Sequence, residues 1–560
     1  MKKIVVIGGV AAGLKAASKA RRCDPQAEIT VLEKGELISY GACGLPFYLA
    51  GEVASIEDLM KTPVGVMRNA GFFKNVKNIS VLTQTLATSI NREEKCVYAK
   101  KIADGTELIL PYDQLVIATG AKPIKPDLPG INLSNIFQLG HPNDAKEIRE
   151  GLDEGKFKNA VIIGAGLVGL EVAEALHKRG LNVTVVEMKN QVFSAFLDLE
   201  IAGIVEKHIT EKGVNLRSNE AVIQFNGTNT VKEVVTDKGV IPTDLVILAI
   251  GVRPNVELAK AAGLNIGLTG AITVDAYMRT NDPDIYAGGD CVENRHMLTG
   301  KMVFAPMGST ANKHGRVIGE NICGGNLPFA GVLNTVAVSV LGLNIGKTGL
   351  TERDAKNLGI EYVTTIVAGH DKPHYMAGAK IITTKLIVEA NSKMVLGAQA
   401  VGEGDVTKRI DVVAAILTAK GTLDMLSDAD LCYAPPFNSP IDNIAVAANT
   451  IMNKISGSFK GISSLEAKDK MATNNAIFLD VRTPGETEKI KLANHENLKY
   501  IPLGQLRSRL TELNKDQEII AFCKISVRGY EAEAILEGEG FTNVKVLEGG
   551  LAAWPYKYEK

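Results

Sequence analysis

Two glycine-punctuated stretches, 156 residues apart, restrict the fold of this 560-residue chain more than any other feature. In the first, the apolar run Lys3-Ile4-Val5-Val6-Ile7 stops at Gly8-Gly9-Val10-Ala11-Ala12-Gly13. An alanine-rich helical stretch follows, then Glu28-Ile29-Thr30-Val31-Leu32, closed by Glu33. This is a βαβ pattern whose glycine turn opens the helix. The amides and dipole at such a helix start hold a pyrophosphate, and an acid ending the second strand takes ribose hydroxyls. Val10 stands where the usual fingerprint has its middle glycine, so a purely structural turn is the alternative for this copy. The second copy is complete. Ala160-Val161-Ile162-Ile163 leads into Gly164-Ala165-Gly166-Leu167-Val168-Gly169, then a helix, then Asn182-Val183-Thr184-Val185-Val186-Glu187. An acid at Glu187 repels a 2′-phosphate and favours NADH over NADPH, with Lys189 close by. Two such units imply two dinucleotides.

Each unit closes on a strand that runs into glycine. One is Leu115-Val116-Ile117-Ala118-Thr119-Gly120, the other Leu245-Val246-Ile247-Leu248-Ala249-Ile250-Gly251. In Ile285-Tyr286-Ala287-Gly288-Gly289-Asp290, Asp290 is expected to follow a strand and face a sugar-like chain. A helix N-cap is its ordinary alternative.

A chain of this length calls for three or four domains. The 62 Lys and Arg balance 63 Asp and Glu, so nothing favours nucleic acid or an anionic membrane. Met1-Lys2-Lys3-Ile4 starts like a leader, but the apolar run ends at Gly8-Gly9 and reads as a buried strand. No run of about 18 apolar residues predicts a membrane span. The seven cysteines, odd in number and widely spaced, suit reduced thiols in a cytoplasm. No metal site is expected.

One cysteine stands apart, in Ser39-Tyr40-Gly41-Ala42-Cys43-Gly44-Leu45-Pro46. Gly41 and Gly44 admit close approach to the backbone, and Pro46 disfavours a helical Leu45. The next cysteine is Cys96, so no local dithiol exists. If Cys43 does redox chemistry, its partner sulfur comes from the substrate. The alternative is a small buried cysteine at a helix start.

With these motifs, residues 1–453 resemble the two-dinucleotide flavoprotein disulfide reductases. The lone cysteine in Tyr-Gly-Ala-Cys-Gly-Leu-Pro is similar to the branch containing coenzyme A disulfide reductases, NADH oxidases and NADH peroxidases. The resemblance implies FAD at Gly8, Gly9, Ala11, Ala12, Gly13, Glu33, Ala118, Thr119, Gly120, Gly289 and Asp290, with Asp290 on the flavin ribitol. It implies NAD(P)H at Gly164, Gly166, Leu167, Val168, Gly169, Glu187 and Gly251. Cys43 would lie against the flavin and cycle through a mixed disulfide, persulfide or sulfenic acid. Residues 326–453, with a strand expected at Val336-Ala337-Val338-Ser339-Val340, would form a dimerisation domain of a homodimer. Tyr375 and Tyr433, 58 residues apart, would approach the other subunit's thiol, where a phenol protonates a departing thiolate. Packed core tyrosines are the alternative. Lys15, Lys19 and Arg22 share one helix face at i, i+4, i+7. With Ser39 and Lys77 they match positions that hold the coenzyme A nucleotide, the alternative being a solvated basic face.

The stretch 454–465 is rich in serine and glycine and reads as a linker. Beyond it, Ala476-Ile477-Phe478-Leu479-Asp480-Val481-Arg482, Ile519-Ile520-Ala521-Phe522-Cys523-Lys524-Ile525-Ser526-Val527-Arg528-Gly529 and Leu547-Glu548-Gly549-Gly550 resemble a rhodanese (sulfurtransferase) domain over 466–560. A short loop between strand and helix aims its amides at one point. With the helix dipole and the charges of Lys524 and Arg528, it would stabilise a Cys523 thiolate able to carry sulfane sulfur. An idle cysteine in a structural domain is the alternative. Ser526 replaces the loop's usual glycine, and Lys489-Ile490-Lys491-Leu492-Ala493-Asn494-His495 lacks the usual His-Ile-x-Gly-Ala.

The expected fold is therefore α/β. Two Rossmann-like dinucleotide-binding domains (FAD in 1–112 and 253–325, NAD(H) in 113–252) precede a C-terminal α+β dimerisation domain and an appended α/β rhodanese domain. The implied activity is NADH-dependent reduction of coenzyme A persulfide, coenzyme A disulfide or polysulfide through Cys43, releasing hydrogen sulfide or thiol. An NADH oxidase or peroxidase using a Cys43 sulfenic acid is the alternative from the same fold. A non-reductive sulfur carrier or redox sensor is the alternative from another class.

Overall fold

The computed structural model describes residues 1–492 and 496–558, in two compact units: Met1–Val186 with Ala221–Val332, and Glu187–Glu220 with Leu333–Lys560. In the first unit, strands Lys3–Ile7 and Glu28–Leu32 lie parallel, Ile4 opposite Ile29 and Ile7 opposite Leu32, joined by helix Ala12–Cys23. Their residues are buried on both faces, as covered parallel sheets require. Gln114–Ile117 pairs on the other side of Lys3–Ile7, Ile285–Ala287 lies beyond it, and Ser80–Leu82 follows Glu28–Leu32. Helix Gly308–Asn321 packs tightly on Ala12–Cys23. A Cβ at Gly315 or Gly319 would come within 2.6 Å of the Ala12 or Ala16 carbonyl oxygen.

The expected cut between 112 and 113 falls too early. Gln114–Ile117 belongs to the first sheet, and the chain leaves it through Ala121–Pro123, which pairs antiparallel with the returning Val252–Pro254. An apolar strand advertises itself in sequence, but its choice of sheet is made by long-range pairing. The second parallel sheet repeats the pattern, with Asn182–Glu187, Asn159–Ile163, Leu245–Leu248 and Ile136–Gln138 as successive neighbours.

In the second unit an antiparallel sheet runs Val336–Val340, Leu343–Gly349, Val395–Gly402, Ile381–Glu389, Tyr362–His370. The strand expected at 336–340 is present with those bounds. The linker is shorter than expected. Helix Asn443–Ser456 runs through 454–456 and ends at Gly457 in the left-handed region (φ 78°). Phe459 is buried against Tyr530, and Gly461–Ile462 already pairs with Val544–Leu547. Serine and glycine serve a helix C-cap and a close-packed edge as well as a free tether, so composition overstated the linker.

The last domain is a parallel sheet ordered Gly461–Ile462, Val544–Leu547, Ile519–Phe522, Ile477–Asp480, Leu498–Tyr500. Alternate residues serve opposite faces. Ile477, Leu479, Ile519 and Ala521 pack with Ala532 and Leu536, while Phe478, Ile520 and Phe522 pack with the chain's single tryptophan, Trp554.

Candidate active site

The two glycine turns are built alike. Gly8 (φ 115°) and Gly164 (φ 106°) occupy backbone that other residues rarely adopt. A Cβ on Gly8 would meet the Ala118 carbonyl oxygen at 2.1 Å, and one on Gly164 the Ala249 oxygen at 2.5 Å. Gly13 and Gly169 each stand 2.0 Å, at the Cβ position, from the carbonyl oxygen of the turn's first glycine. The chain itself thus demands the outer glycines. Gly166 is different: a Cβ there meets nothing within 4 Å. Its glycine leaves room for a ligand at the start of helix Leu167–Lys178.

Glu33 accepts from the Gly9 and Gly35 N–H groups, each at 2.8 Å, and so is fixed at the rim of the first turn. Glu187, the last residue of its strand, accepts from the Lys189 N–H at 2.8 Å. Thr119 and Asn255 exchange two hydrogen bonds beside Gly120, Thr119 Oγ1 donating at 2.6 Å and Asn255 Nδ2 at 2.9 Å. Gly289 (φ 83°) abuts Ala12, with 3.0 Å between its Cβ position and that of Ala12. The next element after Asp290 is strand Asn294–Arg295, so Asp290 caps no helix. Burial pushes its carboxyl up to about 6. His314, which the sequence reading missed, accepts the Gly289 N–H on Nδ1 at 3.1 Å. Its ring is buried, which pushes it down to about 4, and packs edge-on against Phe329. A lone histidine in a helix carried no signal of this contact.

Cys43 is exposed, in a tight turn, Ala42–Gly44, that opens helix Leu45–Ala50. The reading as a buried cysteine is thereby excluded. Leu59 shapes the turn: its carbonyl accepts from Gly41 N–H at 3.0 Å, and its Cδ2 would lie 2.3 Å from a Cβ on Gly44. The expectation for Leu45 is corrected. It is helical (φ −61°, ψ −42°), with Pro46 in the first turn, where a missing N–H leaves no bond unmade. Ser39 takes φ 56°, its N–H donating to the Gly9 carbonyl at 2.9 Å, which ties the cysteine stretch to the dinucleotide turn.

Desolvation by the surrounding turn raises the Cys43 thiol although its surface is exposed, and the Glu171 and Asp290 carboxylates raise it further. Glu171 is itself pushed up to about 7, by burial and then by Glu174. It lies on the helix of the second glycine turn, and only the fold brings it to Cys43. Glu171→Gln removes a negative charge that opposes the thiolate. Cys43 alkylation by iodoacetamide should then rise at lower pH than in the unmodified protein, and an unshifted or upward-shifted profile would refute the coupling.

The basic face is rearranged. Lys77 Nζ donates to Ser18 Oγ at 3.0 Å and lies 5.2 Å from the Phe73 ring centre. Burial lowers its pKa, and the Arg22, Lys15 and Arg68 charges lower it further. Those four residues form one cationic cluster. Arg68, missed in sequence, enters from a separate loop, where its Nε donates to the Met60 carbonyl at 3.1 Å. Lys19 is instead paired with Glu320 at 2.5 Å. Its helical spacing was legible, but the acid facing it from Gly308–Asn321 was not.

In the second unit, Tyr375 and Tyr433 are 66% and 52% exposed, so neither is a core tyrosine. Tyr375 stands edge-on to His374, with ring centres 5.6 Å apart. Cys523 is buried where strand Ile519–Phe522 turns toward helix Val527–Gly538. Ser526 takes φ 77°, the conformation glycine ordinarily supplies, and its Oγ donates to the Leu547 carbonyl at 3.0 Å. The loop keeps its shape despite the substitution, at a cost of about 1–3 kcal/mol. Arg528 is not free to face Cys523 alone: both arms donate to Glu486 at 2.7 Å, holding Glu486 down to about 2. Glu486 belongs to a turn carried by the buried pair Asp480–Arg482, whose Nη2 to Oδ2 distance is 2.6 Å. Of the 489–495 segment, 493–495 lie outside the described residues.

The pyridine nucleotide-disulphide oxidoreductase model matches residues 2–305, its dimerisation domain 335–444, and a rhodanese-like domain 463–556. The chain belongs to the pyridine nucleotide-disulphide oxidoreductases. It is similar to the NAD-dependent persulfide reductase from A. fulgidus, at 46% identity and TM-score 0.94, over 99% of this chain and 100% of that one. The reduced CoADR-RHD of Bacillus anthracis is 34% identical, with TM-score 0.91, over 99% and 97% of the two chains. The NAD(P)H coenzyme A polysulfide/persulfide reductase of Pyrococcus horikoshii is 38% identical over 80% of this chain and 98% of its own. As a member of this family the protein is an oxidoreductase that takes FAD and a nicotinamide dinucleotide. The two positive-φ glycine turns and the open space at Gly166 fit both.

Proposed function

We propose that the protein reduces coenzyme A persulfide, coenzyme A disulfide or polysulfide with NADH, with Cys43 as the reacting sulfur. The observation that carries this is an accessible thiol in a dinucleotide-binding unit with no second cysteine close to it in sequence, the flanking ones being the exposed Cys23 and the buried Cys96. Its sulfur partner therefore comes from outside the chain, and the rhodanese domain provides a source of sulfane sulfur in the same molecule.

The first glycine turn, with Ala118, Thr119, Gly120, Gly289 and Asp290, would hold FAD. The second, with Glu187 and Gly251, would hold NADH. Bound flavin supplies the two-electron relay between nicotinamide and sulfur. The Cys43 thiolate attacks the sulfane sulfur of a persulfide, the substrate's S–S bond breaks, and free coenzyme A leaves. Two electrons and a proton then convert the Cys43 persulfide to thiolate and hydrosulfide. Tyr375 and Tyr433 of a second copy, paired through the dimerisation domain, would protonate the departing thiolate. Lys15, Arg22, Lys77 and Arg68, with Ser39, would bind the phosphates of coenzyme A, and Lys19 would join them only by giving up its Glu320 pair. Seven free cysteines suit a reducing cytoplasm, and no helix among the described residues is long and apolar enough to cross a membrane.

The test is a comparison of electron acceptors with the FAD-loaded, NADH-reduced protein. Coenzyme A persulfide should be turned over with kcat/KM about 100-fold or more above that for oxygen or peroxide. The reverse order would make it an oxidase or peroxidase.

A further inference from the structure

The last domain is anchored to the antiparallel sheet of the second unit by one buried carboxylate. Glu548 follows strand Val544–Leu547 and is 6% exposed. Its Oε2 accepts from the Ile366 N–H at 2.8 Å, in strand Tyr362–His370. Its Oε1 is paired with Lys454 Nζ, on helix Asn443–Ser456, which also donates to the Thr364 carbonyl at 2.6 Å. A Cβ on Gly461 would stand 2.1 Å from Oε1, so a side chain there would displace the carboxylate.

The residues after Glu548 hold the Cys523 loop. The Cys523 carbonyl accepts from Leu551 N–H at 3.0 Å and the Lys524 carbonyl from Ala552 N–H at 2.9 Å. A Cβ on Gly550 would stand 2.5 Å from the Cys523 oxygen. In the other direction, strand Tyr362–His370 ends at His370, just before the turn that carries His374 and Tyr375. The Lys524 charge reaches His370. A continuous run of contacts thus joins the Cys523 loop to the tyrosine turn, and Glu548 is its hydrogen-bonded, ion-paired link between the two sheets.

We propose that Glu548 is a positioning residue that sets the Cys523 loop in register with the Tyr362–His370 strand and the tyrosine turn, and so controls delivery of sulfane sulfur to the reductase site. This rests on the function proposed above. In the delivery step, an acceptor thiolate such as coenzyme A attacks the outer sulfur of the Cys523 persulfide. The Cys523 Sγ–S bond breaks, Cys523 leaves as thiolate, and the acceptor becomes the persulfide, with no external oxidant or reductant.

Glu548→Ala removes both contacts. Glu548→Gln keeps an acceptor for Ile366 and loses the ion pair. A second contact keeps the domain attached in either variant, since Lys207 Nζ lies 3.3 Å from the Tyr558 ring centre. Three rates are compared on the full-length FAD-loaded protein: sulfur transfer from thiosulfate to cyanide, NADH oxidation with preformed coenzyme A persulfide, and NADH oxidation with thiosulfate plus catalytic coenzyme A. The first two should stay within about twofold, and the third should fall about 10- to 100-fold in Glu548→Ala, less in Glu548→Gln. An unchanged third rate, or a parallel fall in the first, overturns the proposal. Preformed persulfide bypasses Cys523, so its turnover in the unmodified protein judges the proposed function separately. Hydrogen exchange at the Ile366 amide gives a reading independent of activity. It should accelerate about tenfold or more in Glu548→Ala, and an unchanged rate overturns the docking role.

Discussion

Cys43→Ser is expected to lower NADH turnover with coenzyme A persulfide by about four orders of magnitude or more, with FAD still bound. A hydroxyl at this position is a poor nucleophile at neutral pH and cannot hold a sulfane sulfur against reduction. Of the other thiols, Cys96, Cys291 and Cys523 are buried, Cys323 is half-buried, and the exposed Cys23 and Cys432 lie outside the turn that carries Cys43. The substitution is small and the position is exposed, so the turn built on Leu59 should persist. Thiosulfate-to-cyanide transfer, assigned to Cys523 in the proposed scheme, should be unaffected. The check is NADH consumption alongside the flavin spectrum. Turnover near that of the unmodified protein would remove Cys43 from the centre of the chemistry.

Gly166→Val should raise KM for NADH by about 10- to 100-fold, equivalent to ~1.4–2.8 kcal/mol, while leaving FAD content and thermal unfolding near their original values. One motif holds two kinds of glycine. Gly164 and Gly169 are demanded by neighbouring backbone, so a change there damages the fold along with the site. Gly166 has φ −85° and open space at its Cβ position, so the chain alone tolerates a side chain. What a side chain would obstruct is the close approach of a pyrophosphate to the helix start. Loss of FAD instead of NADH would reverse the assignment of the two turns. An unchanged KM would leave the glycine without a ligand to explain it.

The glycine turns were readable because their chemistry is local: a positive φ, a helix start and an acid one strand later all fall within about thirty residues. Cys43 was readable for the same reason, as a lone thiol among small residues. The Cys523 loop was equally plain, and Ser526 holds the left-handed turn although glycine is missing. Errors gathered where local rules compete with tertiary packing. Pro46 spoke against a helical Leu45, yet the first turn of a helix accommodates both. Serine and glycine suggested a long tether, yet Phe459 is buried there and Gly461 joins a sheet.

By itself, then, the order of residues determines most of the strands, turns and helices and the two dinucleotide-binding folds, and it singles out Cys43 and Cys523 as candidates for reaction. Only the folded chain decided which charges face one another. Arg68 joined Lys15, Arg22 and Lys77, while Lys19 was drawn off by Glu320. Glu171 was set beside Cys43, Arg528 was committed to Glu486, and Glu548 was buried against Ile366. Secondary structure follows from interactions within a few residues. Electrostatic partners are separated by tens to hundreds of residues, and no periodicity within a segment encodes the neighbour that long-range packing will supply.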